Sequence, residues 1–388
     1  MSSQHFPRPA LAKQIADDLM GKNPWSDGAN GMFLTAPRRT GKSDFLRLDL
    51  LPLLEKQGLV VVYVDLWADK NRPSMAVIAE KLDEAVKKTL GMVGKAAQAS
   101  GLDSINVLGV KIDTSKIGKV DGLTLHRVLE LIHQQTGKKI VLMIDEAQHA
   151  LTSEDGDMTL SALKSAREQM RTKDGNNLML VLSGSHRDKL MQMLNTAATP
   201  FWGSKVQPLP TLGKPYVQSL AADLQRDHPQ LLGLDANVMW EAFEQCGERP
   251  QFFKRDIVGA ALASSQDAAA FTAAVKTLAK LQRERDRDGM TQIYLALAPL
   301  EQALLTHLME MEAQFKPFNA AALAFYSQHM GEKVTAAQAQ KALGNLREND
   351  PPLVWKSLRG DYSLYDQEMA GWYAYLKGGH NWPPKRLS

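Results

Sequence analysis

Residues 36–43 read Ala36-Pro37-Arg38-Arg39-Thr40-Gly41-Lys42-Ser43 and follow directly on the apolar run Met32-Phe33-Leu34. No other stretch of the chain limits its fold so narrowly. An apolar strand, a tight turn, a Gly-Lys-Ser step and then a helix make a phosphate-binding loop, in which successive backbone N–H groups wrap a β-phosphate. In such a loop Lys42 reaches the β and γ oxygens and the Ser43 hydroxyl is placed to ligate Mg²⁺. The helix is expected to start at Ser43-Asp44-Phe45-Leu46-Arg47, so that its N-terminal dipole also faces the phosphates. The residues expected to hold a nucleotide are therefore Ala36, Pro37, Arg38, Arg39, Thr40, Gly41, Lys42, Ser43 and Asp44. Ala36 stands where the motif has glycine. Its methyl group is tolerable only if the backbone there stays out of the left-handed region.

A second signal lies where such a loop needs one. Lys138-Lys139-Ile140-Val141-Leu142-Met143-Ile144-Asp145-Glu146 is a short apolar run ending in two carboxylates. A buried parallel strand reads this way, with polar residues emerging at its C-terminal edge, and nucleotide chemistry in open α/β sheets takes place at that edge. Asp145 is expected to hold Mg²⁺ through water, and Glu146 to polarise the attacking water. An Asp-Glu pair after a strand is also what an ordinary helix start favours. With the phosphate loop upstream, the catalytic reading is preferred.

Composition sets the outer limits. A chain of 388 residues holds two or three domains with room for real cores. Its 44% hydrophobic and 23% charged residues are those of an ordinary globular protein. No apolar stretch approaches the roughly 20 residues needed to span a bilayer, so no membrane partner is expected. Met1-Ser2-Ser3-Gln4-His5 lacks the basic and apolar regions of a secretion signal. The single cysteine, Cys246, excludes an internal disulfide and suits a reducing compartment, so the expected address is cytoplasmic. A net charge of +3 is too weak to argue for nucleic acid by itself.

The pattern along the chain predicts an α/β protein: a doubly wound, parallel-sheet core followed by an all-α region and a small C-terminal domain. Residues 1–30 form an N-terminal arm with a helix near Ala10-Met20. Residues 31–210 form the core, with strands at Met32-Thr35, Leu59-Asp65, Lys138-Glu146 and Leu178-Ser183 and an excursion strand or hairpin at Ile105-Asp113. Residues 211–288 are helical by pattern and rich in alanine, with the charged run Arg283-Glu284-Arg285-Asp286-Arg287-Asp288-Gly289 read as a solvated helix end. Residues 289–388 carry helices near Leu300-Gln314, Ala320-Met330 and Ala336-Arg347. A hairpin signal follows, Leu353-Lys356 and Tyr362-Tyr365 flanking Ser357-Asp361; three helices and a hairpin make a winged-helix pattern.

Together these motifs resemble the AAA+-like branch of P-loop ATPases, most closely the signal-transducing (STAND) and archaeal-ATPase group. The resemblance implies a parallel-sheet P-loop core, a helical lid over 211–288 and a C-terminal winged helix, with ATP and Mg²⁺ as cofactors and a homo-oligomer as the working form. It also implies roles for individual residues. Phe6-Pro7-Arg8 looks like the segment that contacts adenine, which adds Arg8 to the nucleotide-binding set. Asp145-Glu146-Ala147-Gln148 resembles the acidic motif of that group, and equally that of transposition helper ATPases. Ser183-Gly184-Ser185-His186 looks like a sensor 1 strand end, so Ser183 or Ser185 is expected to hydrogen-bond the γ-phosphate or the attacking water. Gly247-Glu248-Arg249-Pro250 resembles the lid turn whose arginine, here Arg249, reports the γ-phosphate. Arg167 and Arg171 end the helix before the sensor strand, where oligomeric relatives present an arginine finger. Gly203-Ser204 falls where that group often has Gly-Arg, so that arginine is missing.

Plainer readings stand beside these. Ser183 and Ser185 also suit helix capping, Arg249 suits lid packing, and basic residues at a helix C-terminus are what the macrodipole favours. His149 reads better as structural than as a base, Asp65 as a cap, and Cys246 as packing. Trp355, Tyr362, Tyr365, Trp372, Tyr373, Tyr375 and Trp382 read as a small core or, alternatively, as base-stacking groups. From residue 291 onward nine lysines and arginines meet nine aspartates and glutamates, so the last domain is about neutral. Lys356, Arg359 and the polar residues of Ala336-Arg347 could grip duplex DNA. Neutrality fits a protein-binding module equally well. Three functions stay open: an ATP-hydrolysing switch that controls a partner protein or assembly, as in defence against foreign DNA; a DNA-binding, transposition-helper-like ATPase that oligomerises on duplex; and, because Ala36 and the missing Gly-Arg depart from the pattern, a nucleotide-bound structural protein that barely hydrolyses.

Overall fold

A computed structural model describes residues 5–69, 72–99, 124–173, 175–185, 187–194, 200–201, 204–349, 352–356, 360–379 and 381–384. The expected strand at Ile105-Asp113, together with His186, Gly203 and Arg359, lies outside these. The chain divides into two compact units, one of residues 5–36 and 42–209, the other of residues 37–41 and 210–388.

The first unit is built on five parallel strands in the order β2–β3–β6–β1–β7: β1 (Met32–Thr35), β2 (Val60–Asp65), β3 (Ile140–Asp145), β6 (Leu178–Gly184) and β7 (Val206–Pro208). β4 (Arg171–Thr172) and β5 (Gly175–Asn176) make a separate small hairpin. β1, β3 and β6 are buried at every residue, which is why they read as unbroken apolar runs rather than alternating ones. Register sets the site: Asp65 lies opposite Asp145 and Ile144 opposite Leu182, so β2, β3 and β6 deliver their C-terminal residues to one edge.

Helices cover the sheet. They are α1 (Pro9–Leu19), α2 (residues 42–56), α3 (Ser74–Ala99), α4 (Leu125–Thr136), α5 (Gly156–Gln169) and α6 (Arg187–Met191). Ala12, Ala16 and Leu19 of α1 join Met32, Leu34, Phe45, Leu46 and Met143 in one core cluster. Each large apolar side chain buried there contributes roughly 1.5–3 kcal/mol. α2 begins one residue earlier than expected, at Lys42, and is not uniform. Lys42–Asp44 is α-helical, Phe45–Leu50 is π-helical and Leu51–Lys56 is α-helical again. The widening coincides with Pro52, which has no N–H to donate back along the ladder and crowds the carbonyl four residues before it.

The second unit is helical apart from one hairpin. α7 (Gly213–Asp227), α8 (Ala236–Gln245), α9 (residues 250–264) and the 29-residue α10 (Ala268–Ala296) come first. The charged run 283–289 is therefore the interior of α10, not a helix end. Its alternating charges left no cap or break, and Gly289 alone does not stop a helix whose flanks continue the pattern. α11 (Pro299–Met311), α12 (Ala320–Met330), α13 (Ala336–Glu348) and the antiparallel β8 (Val354–Lys356) and β9 (Tyr362–Leu364) complete the winged-helix pattern. A further helix, α14 (Glu368–Gly378), was not anticipated. Its Trp372 and Tyr373 are buried with Tyr294, Leu304 and Tyr326 in a single cluster, so the C-terminal aromatics are mostly core. Among the described residues, no helix is long and apolar enough to cross a membrane.

Candidate functional site

The phosphate loop leaves β1 at Thr35 and re-enters helix at Lys42. Its turn takes positive φ at Arg39 (63°) and Gly41 (89°), while Ala36 stays outside that region, with its N–H donated to Gly184 O at 3.3 Å. The glycine-to-alanine departure therefore sits where a methyl group is free of backbone strain. The Thr40 hydroxyl closes the turn on Pro37 O at 2.7 Å, leaving the peptide N–H groups of a nest.

At the C-terminal edge of the sheet, α2, β3 and β6 bring Lys42, Ser43, Asp145, Glu146 and Ser183 into one hydrogen-bonded group. Lys42 Nζ pairs with Asp145 Oδ1 and lies 3.1 Å from Glu146 Oε1. Ser43 Oγ and Ser183 Oγ both donate to Asp145, to Oδ2 and Oδ1 respectively. The side chains of Lys42 and Asp145 are 5% and 1% exposed. Burial alone would raise the Asp145 carboxyl. The Lys42 ammonium and the hydrogen bonds from Lys42, Ser183 and Ser43 outweigh it and hold the group at about 2. Glu146 is lowered by the same contest, burial against the charge of Lys42 and the hydrogen bond of Gln148.

Glu146 itself has φ +52°, a left-handed conformation that costs a non-glycine residue about 1–3 kcal/mol. The turn is held by its own N–H, donated to Asp145 Oδ1 at 2.9 Å, and by its carboxylate, which accepts from Ser185 Oγ at 2.9 Å. Both expected sensor serines thus meet the acidic pair, Ser183 on Asp145 and Ser185 on Glu146.

Two groups at this edge escaped the sequence reading. Tyr63 donates to Asp145 Oδ2 at 2.9 Å, and burial, then the Asp145 charge, raises its phenol well above the ordinary value. A polar-tipped aromatic two residues before the end of a half-buried, apolar strand was the available signal. Gln148 donates to Glu146 Oε2, and only its place in the acidic motif drew notice.

The remaining expected residues have other partners. The Arg8 guanidinium stacks 4.6 Å from the centre of Phe45, and its backbone N–H donates to Asp49 Oδ1 at 3.2 Å, so the arm is pinned to α2. Asp44 is exposed at the start of α2. Arg171 is exposed in β4, not at the end of α5: the helix stops at Gln169 because the chain turns into the small hairpin. Arg167 is on α5 and faces the Phe201 ring at 5.8 Å. Within the second unit, Arg249 donates to Cys246 O at 2.7 Å and pairs with Asp286 at 3.1 Å and Glu368 at 3.3 Å. Burial pushes the Cys246 thiol up to about 12, as a packed cysteine behaves. Asp65 accepts from Trp67 N–H at 2.9 Å, a local turn, and His149 packs on Trp67 with ring centres 4.7 Å apart.

The depressed carboxyls have a consequence for stability. A group whose pKa is lowered on folding stabilises the native state above its unfolded value and loses that contribution as pH falls through the folded one. Melting temperature should therefore drop as pH is lowered from about 4 towards about 2, the range over which Asp145 takes up its proton. The gap in melting temperature between wild type and Asp145→Asn should narrow over that range. A gap that stays constant would refute the assignment.

No family model matches the chain, and no curated protein matches it. Among solved structures it is similar to the ORC2 protein of Aeropyrum pernix in its ADP form, with 14% identity, 96% of this chain and 93% of that chain covered, and a TM-score of 0.50. The Aeropyrum pernix ORC1 protein in complex with DNA also matches, at 15% identity over 97% and 94% of the two chains with a TM-score of 0.42. So does Cdc6p from Pyrobaculum aerophilum, at 15% identity over 98% and 96% with a TM-score of 0.34. The ORC2 likeness, at its low identity, speaks to the fold. The fold is a P-loop core on a parallel sheet, followed by an all-α lid and a C-terminal winged-helix domain.

Proposed function

We propose that this chain is an ATP-hydrolysing, nucleotide-dependent switch of the STAND type. The observation that carries the reading is the largely buried group of Lys42, Ser43, Asp145 and Glu146 at the C-terminal edge of a parallel sheet, where Lys42 and Ser43 follow a phosphate loop directly in sequence. A structural protein gains nothing from such a cluster. Two carboxylates and a lysine at this depth are costly to assemble, and replacing such pairs by apolar groups is often neutral or stabilising.

The donor set suits Mg²⁺, a hard cation that takes oxygen ligands and is usually held by one or two carboxylates together with substrate phosphates. The Ser43 hydroxyl and an Asp145 oxygen, 2.5 Å apart, would hold it. When bound it supplies charge neutralisation on the β and γ oxygens. The chain's own residues do the rest. The Arg39–Gly41 turn presents N–H groups to the phosphates, and Lys42 exchanges its carboxylate partners for phosphate oxygens. Glu146, kept ionised by its surroundings, orients and deprotonates the attacking water. Ser183 and Tyr63 hold Asp145 in place.

In this reading Arg249, Arg167 and Arg171 serve the assembled form: Arg249 on the lid, the other two as candidates for a finger offered to a neighbouring copy. The switch controls a protein partner or an assembly. One observation favours a second reading, a DNA-bound ATPase. α13 leaves Gln340, Lys341 and Arg347 exposed, whereas Gln338 is used in the Thr335 capping box and Asn345 donates to Glu301. That face could lie in a major groove. The deciding experiment is steady-state ATP hydrolysis with and without duplex DNA at low and physiological salt. A slow rate indifferent to DNA is expected for the switch. Stimulation that fades with salt would transfer the assignment to the DNA reading, and no hydrolysis at all would refute both.

A further inference from the structure

Gln148 has no task in the scheme above, yet it is 1% exposed and its amide nitrogen lies 2.5 Å from Glu146 Oε2. A carboxylate can only accept, so the amide must present its NH₂ there and turn its carbonyl oxygen away. Among the described residues that oxygen has no hydrogen-bond partner. It is seated against Gly184. A Cβ at position 184 would fall 2.3 Å from Gln148 Oε1, 3.2 Å from its Cδ and 3.0 Å from Leu190 Cγ. Gly184 lies in a strand and does not adopt positive φ, so its backbone conformation is open to any residue. What glycine provides is space, and the Gln148 amide fills it.

Glu146 needs such support. Its backbone is left-handed, and its carboxylate is gripped at Oε1 by Lys42 and at Oε2 by Ser185 and Gln148. Lys42 is the group that phosphates would draw away, and a serine hydroxyl rotates. The amide of Gln148 is the contact fixed by packing.

We propose that Gln148 is a positioning residue for hydrolysis: seated in the cradle left by Gly184, its amide holds the Glu146 carboxylate in the orientation from which it acts on water. The inference rests on Glu146 being the hydrolytic base, as proposed above. Two substitutions reach the same contact from opposite sides. Gln148→Leu removes the donor, and Gly184→Ala pushes the amide out of its seat.

The test uses the full chain. Gln148→Leu, Gly184→Ala and their combination are made in the wild type and in Glu146→Gln, with kcat and KM for ATP, affinity for a fluorescent ATP analogue and melting temperature read for each. Either change should lower kcat about 10- to 100-fold, the size of effect expected when a reacting group is displaced by about 1 Å, with KM and affinity within about twofold. The double variant should lose no more than the worse single one. In the Glu146→Gln background neither should lower the residual rate further, because residues acting as a unit are not additive. Wild-type kcat in Gln148→Leu, a faster rate, or an equal loss in the Glu146→Gln background would overturn this inference alone. A wild-type protein that binds ATP and never hydrolyses it would overturn the parent reading, and this one with it.

Discussion

Lys42→Ala is expected to abolish ATP binding and to destabilise the fold at the same time. The first loss follows from the loop: backbone N–H groups wrap the phosphates, but the lysine supplies the compact positive charge among them. The second follows from the carboxylates. Asp145 is 1% exposed, and Lys42 is the cation paired with both it and Glu146. Removing one partner of a buried ion pair leaves charge without compensation and typically costs about 3–5 kcal/mol. Part of that cost would be relieved by proton uptake, so the variant should melt lower at neutral pH and regain ground as pH falls. Lys42→Met, which fills the volume without the charge, should show the same trend and separates lost packing from lost charge. Titration calorimetry with ATP and melting curves over pH check both halves. An alanine variant that bound ATP as the wild type does would refute the loop assignment.

That double effect also marks how far sequence reading went. The phosphate loop and the acidic strand were legible because each is a run of local chemistry: an apolar strand, then Gly41-Lys42-Ser43, and another apolar strand ending in Asp145-Glu146. Strand order was implied only as a parallel sheet. The register that sets Asp65 opposite Asp145 came from the fold. Pairings across the chain were not legible at all. Nothing in Tyr63 or Ser185 names the carboxylate it meets, and the seat of Gln148 against Gly184 depends on atoms far apart in sequence. Helix ends failed where charge stood in for a boundary signal. The run 283–289 carries no cap and lies inside α10, whereas Asp267, with its side chain accepting from Ala270 N–H, marks where that helix begins. Arg171 failed similarly, since the hairpin that removes it from α5 has strands of two residues, too short to show a period. The bonds of Arg249 to Asp286 and Glu368 lie within the second unit, a pairing of the lid with α14 that could not be read when α14 itself was not.

Glu146→Gln should keep ATP binding and lower turnover by about 10²–10⁴-fold, the range that a positioned general base contributes. The substitution keeps shape and removes the basic oxygen. Both ends of the carboxylate face donors, Lys42 at Oε1 and Ser185 with Gln148 at Oε2, so a carboxamide must set its NH₂ against one of them. Gln148 resolves the conflict. By turning its amide it offers the oxygen that now lacks a partner, and the Ser185 hydroxyl can rotate to accept. The variant should therefore fold with little loss of stability. Affinity should hold or rise, because one of two carboxylates competing with phosphate for Lys42 has lost its charge. Single-turnover hydrolysis measured beside equilibrium binding separates the two effects: a tight, slow variant is the expected result, and a variant that turns over at the wild-type rate would remove Glu146 from the reaction.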